Sequence, residues 1–486
     1  MNYKMIGRFL SEILALEAVF MIPAVLICLA DQDINAMIAF LSSMGMILAA
    51  AGILWLICHK AKRGFYAREG LVCVGGCWIV MSLFGCMPFF LSGQIPHYID
   101  ALFEIVSGFT TTGASILSDV ESLSRGILYW RSFSHWLGGM GVLVLLLAFV
   151  KKSHNNTGFT LHILRAESPG PDVGKLVPRM KQTAVVLYIL YIVLTILNFL
   201  FLIAGGMSWF DAICTAFGTA GTGGFGIKND SMAGYSPYIQ NVCTVFMLLF
   251  GVNFSIYFLI ITKHIKQVLF DEELRLYIGF IVFSIIVLVF SVREMYGTLG
   301  ETIRHCAFQV ASIITTTGYA TTDFDLWPSF AKAILLCLML VGASAGSTGG
   351  GLKIQRLLLL IKSFRRNLRQ NLYPNKIEVI TVNKNPVNER VIANTHSYLT
   401  AYMLIIIISF LLISMNGFDF ETNISSVIAC FNNIGPGFSG VGATCNFSSF
   451  SIFSKLVLIV DMLAGRLEIF PVLILLNVST WVRSRK

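Results

Sequence analysis

The chain has 486 residues, of which 56% are hydrophobic and only 13% charged, with a mean hydropathy of +0.76. A soluble domain carries about 25% charged residues, so water is excluded as the main solvent. The net charge of +9 would suit nucleic acid, but its distribution along the chain gives it another meaning.

A membrane-crossing helix needs roughly 20 apolar residues. In chain order the candidates are Phe9–Ala30, Met37–Cys58, Leu71–Ser92, Ile127–Val150, Gln182–Gly206, Pro237–Thr262, Leu276–Val292, Ala333–Leu352, Tyr398–Met415 and Phe450–Trp481. The first has no small-residue cleavage site and reads as a retained span rather than a signal peptide. Ten spans put both termini on one side. Lys60, Lys62, Arg63 and Arg68 crowd one loop; Lys151, Lys152, Arg165, Lys175, Arg179 and Lys181 crowd the next on that side. The run from Lys353 to Arg390 adds Arg356, Lys362, Arg365, Arg366, Arg369, Lys376 and Lys384. The opposite loops carry Asp31, Asp33, Asp100, Asp119, Asp323, Asp325 and Asp419. The positive-inside rule then predicts cytoplasmic termini, and the basic excess is a topology signal with no nucleic-acid partner.

Between alternate spans lie segments too short to cross. They read Asp100-Ala-Leu-Phe-Glu-Ile-Val-Ser-Gly-Phe-Thr-Thr-Thr-Gly113 and Asp211-Ala-Ile-Cys-Thr-Ala-Phe-Gly-Thr-Ala-Gly-Thr-Gly223, then Glu301 through Thr316-Thr317-Gly318, then Glu421 through Asn432-Asn433-Ile434-Gly435. An acid, about ten helix-compatible residues and a polar turn ending in glycine recur four times, which is an internal repeat of span, half-helix, loop and span. Each unit holds two spans, so all four enter the membrane the same way up, around an axis along its normal. The predicted fold is therefore an all-α polytopic membrane protein with four pseudo-symmetric repeats around a central pore, plus two extra N-terminal helices. The expected units are an N-terminal hairpin at 1–68, repeats at 69–152, 181–266, 267–370 and 391–486, and cytoplasmic linkers at 153–180 and 371–390.

An acid at the outer start of each half-helix suits the positive end of its dipole, leaving the negative end for a cation at the centre. Non-helical backbone at that depth is tolerated where it lines a water-filled path, and rings of its carbonyls can replace the hydration shell of potassium. The 11 cysteines, scattered and without a Cys-x-x-Cys pair, read as packing residues, and the histidines form no metal cluster. His135, Trp130 and Trp136 read as packing or interfacial anchors.

Gly342–Gly351 holds five glycines in ten residues, a cost to a helix of roughly 5 kcal/mol relative to alanine. Unwinding into the path and close helix packing both fit this stretch. Arg466, mid-span, needs an aqueous path or a partner, with Asp461 and Glu468 nearest in sequence.

Several motifs carry a resemblance over nearly the whole chain: Trp130-Arg-Ser-Phe-Ser-His-Trp-Leu-Gly-Gly-Met-Gly141, Gly346-Ser-Thr-Gly-Gly-Gly-Leu-Lys353, Asn432-Asn-Ile-Gly-Pro-Gly437 and Gly465-Arg466. The chain resembles the TrkH/KtrB/HKT superfamily of potassium transporters, and its two extra N-terminal spans are similar to the TrkH branch. That resemblance implies a filter with signature glycines Gly113, Gly223, Gly318 and Gly435. Its carbonyls would come from Thr111, Thr112, Gly221, Thr222, Thr316, Thr317, Asn433 and Ile434. The resemblance also implies a gating loop containing Gly346, Gly349, Gly350 and Gly351, with Arg466 as a positive barrier beneath the filter. It further implies K+ as the transported ion with no organic cofactor, a homodimer in the bacterial inner membrane, and a cytoplasmic TrkA-type ring binding NAD or ATP, docked near Arg356–Arg369. Proton- or sodium-coupled symport stays open. A membrane-embedded enzyme has no support from a phosphate-binding loop or a Ser/His/Asp set, and a receptor would carry no flux.

Overall fold

The computed structural model describes residues 1–59, 67–139, 141 and 180–477. Within them the regular structure is helical, except for a two-stranded hairpin that pairs Thr381 with Pro386 and Val382 with Asn385. Among the described residues six helices are long and apolar enough to cross a membrane, and a seventh span is a bent pair. The protein is thus a multi-pass membrane protein. The clusters of cations at 60–63 and 151–179 lie outside the described residues, as does the span from 142 to 150.

The N-terminal hairpin begins at Tyr3–Phe20, capped by the Asn2 side chain, and continues as Ile22–Ala30. Pro23 sits in the first turn of the second piece, where a missing N–H breaks nothing new. Asp33 caps the return helix Ile34–Cys58 by accepting from the Ala36 N–H at 3.1 Å.

Four units follow. Their first spans are Ala67–Gly85, Met180–Ala204, Glu272–Val292 and Glu389–Ile413. Short pore helices come next, at Tyr98–Phe109, Trp209–Gly221, Leu299–Ile314 and Phe420–Phe431, with Asp100, Asp211, Glu301 and Glu421 in their first turns. Ser208, Thr298 and Asp419 cap three of them by accepting from N–H groups three residues on. Second spans start at Arg125, Pro237, Ser329 and Ile452.

Contacts on the face where the pore helices begin tie the units in a ring. Asn229 of unit two donates to Asp119 of unit one at 2.9 Å, and Met232 N–H of unit two donates to the Ala320 carbonyl of unit three at 3.0 Å. Lys332 of unit three meets Glu421 of unit four at 2.9 Å, and Lys455 of unit four meets Asp100 of unit one at 2.7 Å.

Three expected spans are interrupted. Pro237–Thr262 turns through 89° between Phe250 and Phe254. Gly251 ends the first piece there, and the Asn253 side chain caps the second. Ala333–Leu352 stops at Val341, where Gly342 adopts φ +73°, and helix resumes at Ile354. Phe450–Trp481 breaks after Arg466 and resumes at Phe470–Leu476, with residues beyond 477 outside the described set. Pro471 at the start of that last piece has no N–H to continue the helix before it. Nine cysteines are buried; Cys337 and Cys445 are exposed, and all are free thiols.

Candidate ion pathway

Each pore helix ends in a strand with the same backbone pattern. One non-glycine residue takes a left-handed φ, and the second residue after it is a glycine that does the same: Thr111 (56°) and Gly113 (80°), Thr222 (54°) and Gly224 (74°), Thr316 (58°) and Gly318 (87°), Asn433 (57°) and Gly435 (98°). Hydrogen bonds repeat the pattern. The N–H groups of Thr112, Gly223, Thr317 and Ile434 donate to the carbonyls of Ser107, Gly218, Ser312 and Ala429, five residues back, at 2.8–2.9 Å. A left-handed non-glycine residue costs about 1–3 kcal/mol and persists where the surroundings over-determine it. Four in register mark a built site.

The four strands close on one another. A Cβ added to Gly113 would lie 2.1 Å from the Gly223 carbonyl oxygen; on Gly224, 1.9 Å from that of Thr317; on Gly318, 2.1 Å from that of Ile434; and on Gly435, 2.7 Å from that of Thr112. Each glycine thus abuts a carbonyl of the next unit, and the fourth returns to the first. Gly113, Gly224, Gly318 and Gly435 also line one cavity together with Lys228, Asn229 and Cys445.

The interrupted segment of unit three lies directly beneath. The Gly350 N–H donates to Thr316 Oγ1 at 2.6 Å, and Cβ atoms on Gly349 and Gly350 would meet the carbonyl oxygens of Thr315 and Asn432 at 2.8 and 2.4 Å. Lys353, with φ +75°, donates from Nζ to the Gly349 carbonyl, and the buried Glu273 carboxylate accepts from the Ala345 N–H at 2.6 Å. Gly346 and Gly351 take φ values of +66° and +76°, open to glycine without strain. Of the two readings of this stretch, unwinding describes the structure.

The TrkH profile, described as a cation transport protein, matches residues 37–480. The chain belongs to the TrkH family. It is 36% identical to the Trk system potassium uptake protein TrkH of Escherichia coli K12, over 99% of this chain and all of the relative. It is 33% identical to TrkG of the same organism, with 99% of each chain covered. The crystal structure of the potassium transporter TrkH from Vibrio parahaemolyticus superposes with a TM-score of 0.89 at 32% identity, covering 99% of this chain and all of that one.

In this TrkH-family chain the structure brings Thr111, Thr112, Gly113, Thr316, Thr317, Gly318, Asn433, Ile434 and Gly435 together as the sequence grouped them. Unit two moves by one position. Its left-handed glycine is Gly224, its equivalents of Thr111 and Thr112 are Thr222 and Gly223, and Gly221 falls one layer inward, level with Thr110. The sequence aligned the first glycine after a threonine, and the Gly223-Gly224 pair concealed the frame.

Arg466 lies at the break in the last span. It donates to the carbonyls of Thr348 at 2.8 Å and Gly139 at 2.7 Å, and to that of Gly138. The acids nearest it in sequence have other neighbours: Asp461 accepts from Ser409 Oγ at 2.7 Å, and Glu468 from Arg356 at 2.5 Å. Trp130 and His135 are interior rather than interfacial. The Trp130 indole N–H donates to the Gly85 carbonyl at 2.9 Å, and the His135 ring packs against Phe225 with centroids 4.1 Å apart.

Proposed function

We propose that this chain is the pore-forming subunit of a potassium uptake system, and not an enzyme. A dehydrated K+ rests between the backbone carbonyls of Thr111, Thr112, Thr222, Gly223, Thr316, Thr317, Asn433 and Ile434. The observation that carries the reading is the closed ring in which each of four left-handed glycines abuts a carbonyl of the next unit. Carbonyl oxygens at that spacing supply partial negative charge in place of water, and the pore helices add the negative ends of their dipoles. The full-length relatives, Trk system potassium uptake proteins, point the same way.

The Gly342–Lys353 segment is the gate, occupying the path under the filter, and Arg466 adds a positive barrier that repels cations while the segment stays in place. Opening requires the segment to leave Thr316 and Arg466 to release Thr348. The amphipathic helix Ile354–Leu372 continues directly from the gate with its basic residues toward the cytoplasm. That continuity supports docking of a TrkA-type nucleotide-binding ring, with the protein a homodimer in the inner membrane and both termini cytoplasmic.

Rubidium uptake into vesicles containing the purified full chain, competed by potassium and by sodium, tests the reading. Uptake blocked by potassium at concentrations where sodium has little effect is expected. Absence of uptake, or equal competition by the two ions, would count against it.

A further inference from the structure

Three of the four filter strands are pinned by their own side chains. In strand one Thr110 Oγ1 donates to the Val106 carbonyl at 2.6 Å and bonds Thr112 Oγ1 at 2.8 Å. Strand three repeats this with Thr315, the Ala311 carbonyl at 2.6 Å and Thr317 at 2.8 Å. Strand four uses asparagines: Asn432 Nδ2 donates to the Ile428 carbonyl at 3.0 Å, and Asn433 Nδ2 to Thr112 Oγ1 at 3.0 Å and to the Met462 carbonyl at 2.9 Å. In strand two both pinning positions are glycine, Gly221 and Gly223. The hydroxyl of Thr222 turns back onto the adjoining Gly221 carbonyl at 2.6 Å. A strand of glycines without an internal clip has the most backbone freedom of the four.

The end of that strand, at Phe225 and Gly226, is instead held by unit one. Arg131 and His135, one turn apart on the Arg125–Gly139 helix, share a face. Arg131 donates from Nη1 to the Gly226 carbonyl at 2.7 Å, and its guanidinium carbon lies 3.6 Å from the centroid of the Phe225 ring. His135 packs on the other side of the grip: a Cβ on Gly223 would fall 1.8 Å from its Nδ1. The same guanidinium is oriented by Glu104, whose Oε1 accepts from Arg131 Nε at 2.6 Å with both side chains buried. Glu104 also accepts from Ser115 Oγ at 2.9 Å and from the Ile116 N–H at 3.0 Å, the residues just past Gly113. At the Tyr319 hydroxyl, the distance to the Phe225 carbonyl is 3.5 Å, the outer limit of a hydrogen bond.

We propose that Arg131, oriented by Glu104, is a positioning residue for ion selectivity: it supplies strand two with the fixation that threonine and asparagine side chains give the other three, and it couples strands one and two into one unit. This rests on the pore reading above. A planar guanidinium can hold Glu104, the Gly226 carbonyl and the Phe225 face at once, which an ammonium cannot. Released, the glycine carbonyls of strand two tilt freely, and a smaller ion is coordinated as well as potassium. Glu104 serves a second purpose, since Arg131 borders the outer cavity and an uncompensated cation there would oppose cation entry.

Rubidium uptake with sodium competition, in vesicles of the full chain, provides the test for wild type, Arg131→Lys and Phe225→Leu, each normalised to folded protein. Arg131→Lys keeps the charge opposite Glu104, and Phe225→Leu leaves the ion pair whole. In both, the rubidium-over-sodium preference is expected to fall about tenfold, the worth of one charge-assisted contact. Sodium inhibition should strengthen more than the maximal rubidium rate declines. Wild-type preference in either variant overturns the proposal, as does a lower rate with an unchanged preference, because a packing role alone predicts that. If Arg131→Lys does not fold, Phe225→Leu decides. A wild-type chain without potassium preference instead sinks the pore reading itself, and that outcome is distinct.

Discussion

Arg466 donates to the carbonyl oxygen of Thr348 at 2.8 Å, so the break in the last span and the unwound segment of unit three are joined through one side chain. Broken helices leave carbonyls without intrahelical partners, and a guanidinium carries five donors and no acceptor. The two defects satisfy each other. An arginine at membrane depth, expensive among lipid, is here surrounded by backbone oxygens of Thr348, Gly138 and Gly139.

On the proposed reading, Arg466→Ala removes a positive barrier together with the tie to Thr348, and rubidium uptake should rise. If one charge-assisted hydrogen bond holds the gate shut, the increase is about tenfold. Arg466→Lys should fall between, since an ammonium is a compact charge that cannot span all three carbonyls. Uptake measured per folded molecule checks this, and a decrease in Arg466→Ala would show that the residue serves folding rather than closure.

Shortening the proposed gate gives an independent prediction. Deleting Gly349 to Gly351 withdraws the Gly350 N–H from Thr316 and removes the backbone packed under Thr315 and Asn432. Leak through reconstituted vesicles should increase while the outer ring stays intact. Glu273→Gln should act in the same direction more weakly, because the carboxylate holding the Ala345 N–H becomes a neutral acceptor. Unaltered flux after the deletion would remove the blocking role.

Much of the architecture could be read from the chain because it follows from solvent and periodicity. The apolar runs, the acid at the start of each pore helix and the fourfold glycine turn all leave local marks, and the structure places Asp100, Asp211, Glu301 and Glu421 where the repeat requires. Breaks at Gly251 and Arg466 were not legible. A helix interruption inside an apolar run depends on partners from other units, such as Thr348 for Arg466 and Ser344 for Gly251, and these lie more than ninety residues away. The frame of strand two was hidden for a different reason: Gly223 and Gly224 are the same residue type, and backbone geometry alone distinguishes them. Glu104 and Arg131 stood in plain view as charges within apolar segments, a signal that could have paired them.

Stability should depend on the tie that closes the ring. Lys455 and Asp100 meet at 2.7 Å, with the lysine side chain 6% exposed and the aspartate 21%. Removing one member of a mostly buried pair leaves the other charge without compensation, a loss of about 3 kcal/mol at full burial and less here because Asp100 reaches water. Asp100→Asn should lower the thermal midpoint in detergent more than Asp119→Asn, whose carboxylate is exposed and bonded to Asn229. Equal shifts would mean that the ring is closed by packing alone.

The glycine frame of strand two can be settled by substitution. Gly113→Ser places a side chain at φ +80°, where an L residue pays about 1–2 kcal/mol, and drives its Cβ to 2.1 Å from the Gly223 carbonyl oxygen. Discrimination against sodium should weaken. Gly224→Ser, at φ +74° and 1.9 Å from the Thr317 oxygen, should behave alike. Gly223→Ala meets a different obstacle, the His135 imidazole at 1.8 Å. Trimming that ring with His135→Ala should therefore restore much of the rubidium preference lost in Gly223→Ala and none of that lost in Gly224→Ser. The converse pattern of rescue, read from the same competition assay, would return the axial position to Gly223.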